Sequence, residues 1–95
     1  MRVEFHSAAA REVEDAQAWY EERSLLAASA FLRELSVAVN RIREAPNQHA
    51  ASEHGARRVL LRRFPFTLHY RVGSEVVTIV AVAHHKRRPG YWQSR

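Results

Sequence analysis

Eight consecutive residues, Val76 to Ala83 (VVTIVAVA), are apolar except for Thr78 and rich in β-branched side chains. Such side chains favour extended backbone, and an apolar run without alternation suits a strand covered on both faces. A strand of this kind needs a neighbour on each side and a layer above and below it, so it fixes the middle of a sheet. It is far too short for a bilayer span, which takes roughly 20 apolar residues. The run passes directly into His84, His85, Lys86, Arg87 and Arg88. Charge is thereby delivered to one end of the sheet. Pro89-Gly90 then breaks the backbone, and Tyr91-Trp92 adds two large rings. Function is expected at this junction.

The other elements follow from periodicity. Arg2 to His6 alternates, with Val3 and Phe5 on one side, as in a half-buried strand. Ser7 is expected to cap a helix from Ala8 to about Arg23, in which Ala9, Val13, Ala16 and Tyr20 form the apolar stripe. Glu12, Glu14, Asp15, Glu21 and Glu22 fill its solvent side. After a link at Arg23-Ser24, a second helix carries the stripe Ala28, Phe31, Leu32, Leu35, Val39 and Ile42, and Pro46-Asn47 stops it. Asn47 to Gly55 is a polar loop whose composition suggests mobility. Arg57 to Arg63 alternates and breaks at Phe64-Pro65. Phe66, Leu68, Tyr70 and Val72 then oppose Thr67, His69 and Arg71, and Gly73-Ser74 turns the chain into the central run. The expected fold is α+β: an N-terminal strand, an αα-hairpin, then a three-stranded antiparallel meander. The helices pack on one face of a small, mostly antiparallel sheet.

With 95 residues the chain is long enough for one modest core, and a single domain over 1–95 is expected. The absence of cysteine excludes disulfides, thiolate catalysis and cysteine-ligated metal sites. The opening residues carry no signal-peptide pattern, which with the cysteine count leads to an expectation of a soluble, cytoplasmic protein with no membrane partner. Charge is unevenly divided. Residues 1–54 hold six Arg against nine Asp and Glu, whereas residues 55–95 hold nine Lys and Arg against Glu75 alone, within a net charge of +5. A basic half of this kind favours an anionic partner: nucleic acid, the ribosome or an acidic polypeptide.

Three strand arginines, Arg58, Arg62 and Arg71, share a parity, and guanidinium groups on one face repel one another unless anions lie between them. They are read as a binding face, the bland alternative being a solvated edge. Adjacent strand residues point to opposite faces, so His84 and His85 do not line one site together. With no carboxylate beside them no metal is expected. No motif calls for a cofactor. Acid–base work by a histidine or by Tyr91, with Arg87 or Arg88 stabilising developing charge, is chemically open. Trp19-Tyr20 and Tyr91-Trp92 could stack on bases, although rings of this kind more often serve as core. The helical acidic residues are explained by a solvated face.

AWYEERS near Trp19, the block RRVLLRRFPFTLHYRV and IVAVAHHKRRPGYW occur in an order that, over nearly the whole chain, resembles the RelE/ParE superfamily of type II toxin–antitoxin toxins, on its ParE-like, plasmid-stabilisation side. The resemblance implies a small toxin on a helical hairpin packed against a sheet, neutralised by a cognate antitoxin whose C-terminal segment wraps it. DNA is then met only indirectly, through the antitoxin. ParE-like members are associated with poisoning DNA gyrase, and RelE-like members with cutting mRNA on the ribosome. Against the nuclease pattern, Tyr91 fits the tyrosine, but the arginine expected six residues earlier falls on His85. The middle-strand arginine expected three residues ahead of Tyr70 falls on Thr67. The implied activity is therefore gyrase poisoning without turnover chemistry, through Arg58, Arg62, Arg71, Arg87, Arg88, Tyr91 and Trp92. The alternatives are a ribosome-dependent endoribonuclease using His85, Tyr91, Arg71 and Arg87, and an inactive member that only binds its antitoxin.

Overall fold

In a computed structural model that describes all 95 residues, the elements run β1 (Arg2–Phe5), α1 (Ser7–Glu21), α2 (Leu25–Glu44), β2 (Arg57–Leu60), β3 (Phe66–Val72) and β4 (Val76–His84). The sheet order is β1-β4-β3-β2, with β1 parallel to β4 and the remaining pairs antiparallel. The apolar run thus lies between two neighbours, as its composition requires. Each helix has a side-chain cap. Ser24 Oγ accepts the Ala27 N–H at 3.1 Å, and His6 Nδ1 accepts the Ala8 N–H at 3.0 Å. The expected cap, Ser7, is instead the first helical residue. The extended backbone of His6 (φ −58°, ψ 144°) leaves its ring close enough to take the cap's role.

The helices cover one face of the sheet. Phe31, Leu35, Ala38 and Ile42 of α2 and Ala9 and Ala16 of α1 bury against Leu68, Tyr70, Val77, Ile79 and Val82. Tyr20, Phe31, Phe64 and Phe66 form a ring cluster with centroids 5.1–5.6 Å apart, in tilted and edge-on arrangements. Leu32, expected in the stripe, is 42% exposed and Ala38 is buried instead. The α2 stripe steps 28, 31, 35, 38, 42, and Leu32 falls outside so narrow a line.

The other face is covered by the tail. Trp92, 1% exposed, packs with Ala56, Val80, Ala81 and Ala83. His69 stacks on its ring at 4.7 Å, His54 meets it edge-on at 5.8 Å, and the Arg71 guanidinium lies 5.4 Å from its centroid. The Asn47–Gly55 loop is pinned accordingly: His49 Nε2 bonds to the Arg41 carbonyl at 3.0 Å and Arg57 donates to the His49 carbonyl at 2.8 Å. His54 sits at φ 56°, and a Cβ on Gly90 (φ 73°) would come within 2.8 Å of His54 Nε2. Only glycine lets the tail approach the loop this closely.

One irregularity sets the facing of the basic stretch. His69 pairs with Ala81 but Tyr70 pairs with Ile79, so Val80 is an extra residue in β4. Beyond this bulge the parity reverses, and Val82 joins the helix-side core although Val80 lies with Trp92. Trp92→Ala should lower the unfolding free energy by about 3–5 kcal/mol in urea titration, the cost of truncating a buried aromatic. The same truncation at Trp19, 53% exposed, should cost far less.

Candidate functional site

The structure divides the candidate cations into three places. Arg58 on β2, and Arg87 and Arg88 just past β4, line one open groove of about 390 Å³ on the tail side of the sheet, with Thr67, His69 and His85. Arg62 does not join them, because β2 ends at Leu60 and strand parity no longer governs the next residues. The Arg62 and Arg63 N–H groups both donate to Glu34 Oε1 at 3.0 Å, and Arg62 lines a separate hollow with Val37 and Arg41. Arg71 does lie on the tail-side face, but its guanidinium donates to the carbonyls of Arg95 (3.1 Å) and Gln93 (3.4 Å) and holds the tail down. Trp92 is core. Tyr91 is half-buried, with the Arg87 guanidinium carbon over its ring, 3.9 Å from the centroid.

The groove floor is made of side chains that hydrogen-bond to one another. Thr67 Oγ1 and His85 Nε2 are 3.0 Å apart, joining the two positions at which the sequence departs from the nuclease pattern. Ser52 Oγ lies 2.6 Å from His69 Nδ1. Burial holds the His69 pKa below the usual imidazole range; Glu53 opposes this and Arg58 reinforces it. His84 turns to the opposite side of the sheet, edge-on to Phe66 at 5.1 Å, as the bulge dictates.

Glu12, assigned from periodicity to the solvent side of α1, is instead the centre of a network. Its Oε1 accepts the Val82 N–H at 2.9 Å and Arg95 Nη1 at 2.8 Å. Its Oε2 accepts the Tyr91 hydroxyl at 2.5 Å and Arg95 Nη2 at 3.1 Å. Arg87 Nη1 is 3.9 Å from the same oxygen. Burial, and then the Glu12 carboxylate, push the Tyr91 pKa well above the usual phenol range. Glu12 lies one turn from both Ala9 and Ala16, so it occupies the edge of the apolar stripe. That acidic residue beside the stripe is the signal from which its role could have been read.

His69 binds a proton less readily folded than unfolded. Its contribution to stability is therefore complete above its unfolded pKa and declines as pH falls towards the lower folded value. Unfolding free energy should be level near pH 7 and drop below about pH 6.5, with His69→Gln flattening part of the slope in urea titrations across that range. Glu12→Gln should cost about 1–3 kcal/mol, since Arg95 and Tyr91 lose a charged, mostly buried acceptor. Tail protection in amide exchange should fall with it.

Comparison with known proteins places this geometry. Among curated proteins no sequence matches the chain. A solved structure described as "Chromosomal ParDE TA system from P. aeruginosa" superposes with a TM-score of 0.77, covering 88% of this chain and 95% of the matched one at 20% identity. A likeness at that identity is one of fold. The family model for the ParE toxin of type II toxin-antitoxin system, parDE, matches residues 3–89, a span that includes both helices, all of the sheet except Arg2, and the groove's three arginines. The chain belongs to the ParE toxin family of type II toxin–antitoxin systems.

Proposed function

We propose that this chain acts in the cytoplasm as the toxin of a type II pair, that it poisons DNA gyrase by binding without turnover chemistry, and that a cognate antitoxin neutralises it. The observation that carries this reading is the chemical state of the groove. Arg58 and Arg88 are exposed and in no ion pair, whereas the groove's candidate acid–base groups are engaged. The Tyr91 hydroxyl is held by Glu12 at 2.5 Å, and its raised pKa makes it a poor proton donor or acceptor near neutrality. The two phosphate-handling arginines of the nuclease pattern are replaced by the Thr67–His85 pair, which carries no fixed charge to stabilise a phosphorane-like state. Ribosome-dependent mRNA cleavage is for these reasons the weaker alternative. An antitoxin segment of acidic or amphipathic character suits the exposed Arg87 and Arg88.

Purified protein should inhibit gyrase supercoiling and raise the level of cleavage complexes. Charge reversal at both Arg58 and Arg88 should weaken inhibition by about a hundredfold, as expected for two lost anion contacts at about 1.5 kcal/mol each. Unchanged supercoiling and cleavage-complex levels with the intact protein would overturn the gyrase reading. Cleavage of ribosome-bound mRNA that disappears in His85→Ala/Tyr91→Phe would establish the nuclease instead. Unimpaired growth on expression without an antitoxin would mark an inactive member.

A further inference from the structure

The groove has a floor of Thr67, His69 and His85 between two cationic banks. Arg58 stands on β2, paired with His69 across the ladder, while Arg87 and Arg88 follow β4 on the far side of β3. Two strand spacings, about 10 Å, separate β2 from β4. Arg58 and Arg88 are exposed and in no ion pair, and Glu53 is the groove's one carboxylate, so positive charge is in excess along both banks. His69 is buried in the floor, which holds its pKa below the usual imidazole range.

The rings discriminate between anionic polymers. Proteins that hold single strands offer aromatic faces on which bases stack. Here Trp92 is 1% exposed, and Tyr91 has Arg87 over its face and its hydroxyl bonded to Glu12. Neither of these two large rings offers a free face to a base, whereas a duplex presents its phosphates outward and asks only for cations and hydrogen-bond donors. We infer that the groove seats the phosphodiester backbone of duplex DNA, without regard to sequence, through Arg58, Arg87 and Arg88. The inference deepens the proposed action on gyrase and rests on it: the toxin would grip DNA at the enzyme as well as the enzyme itself.

Anisotropy of a short labelled DNA duplex, titrated with the full chain from about 50 to 200 mM salt, tests this. Binding is expected with a log–log salt slope of about −2 to −3, the signature of two to three phosphates neutralised. Arg58→Gln/Arg88→Gln should weaken it about tenfold or more and reduce the slope by about two. A control with the same loss of charge on exposed positions of α2, Arg33→Gln/Arg43→Gln, should retain binding, and thermal melts of all three proteins establish that they are folded. Undetectable binding at the lowest salt, equal loss in the control, or tighter binding to single-stranded RNA of the same length would overturn the inference. Gyrase assays on the same samples separate the two ideas. Poisoning without duplex binding removes the DNA seat and leaves the gyrase reading, while duplex binding without poisoning does the reverse.

Discussion

The Glu12 carboxylate is the point on which the rest of the molecule depends. β1 pairs with β4 only as far as Ile79, and the chain then leaves the sheet for α1, so the edge of β4 beyond that residue has no strand beside it. A buried N–H or C=O left in that position would be costly. Glu12 accepts the Val82 N–H and Arg95 donates to the Val80 carbonyl, and the two side chains bond to each other. A helix residue and a tail residue together replace the missing strand. The same carboxylate holds Tyr91, and through it the segment that carries Arg87 and Arg88.

From this follows a division of labour among the basic residues. Arg95 and Arg71 fasten the tail, Arg63 pairs with Glu34 at 2.6 Å, and Arg57 pins the loop before β2. Their charges are used internally. Arg58 and Arg88, both exposed and in no ion pair, face the groove on the tail side of the sheet. A basic half of a sequence is thus not a basic surface of the same size. The molecule's own carboxylates and carbonyls take several of its members.

Much of the architecture was legible in the residues. The VVTIVAVA run, the period-two pattern of Phe66 to Val72 and the helical stripes lead to the observed elements and to β4 inside the sheet. Less of the groove was legible. Strand parity carried Arg58 to the right face, failed for Arg62 because β2 ends two residues earlier, and could not reveal that Arg71 is spent on the tail. Glu12 was taken for a solvated residue because its partners lie 70 to 83 positions away, and local periodicity contains no information about them. Trp92 needed the His54 and His69 rings and the Gly90 approach before its burial could be known.

By itself, then, the sequence determined the class of fold and the place where cationic charge is delivered. Side-chain period and the demand of an apolar strand for cover on both faces are properties of neighbouring residues. The tertiary structure alone decided which cations remain free and which way the basic stretch faces. The extra residue at Val80 reverses the parity of everything after it, and the tail folds back to become the second layer that β4 requires. Both depend on pairing between segments distant in the chain, where a shift of one position exchanges the two faces of a strand.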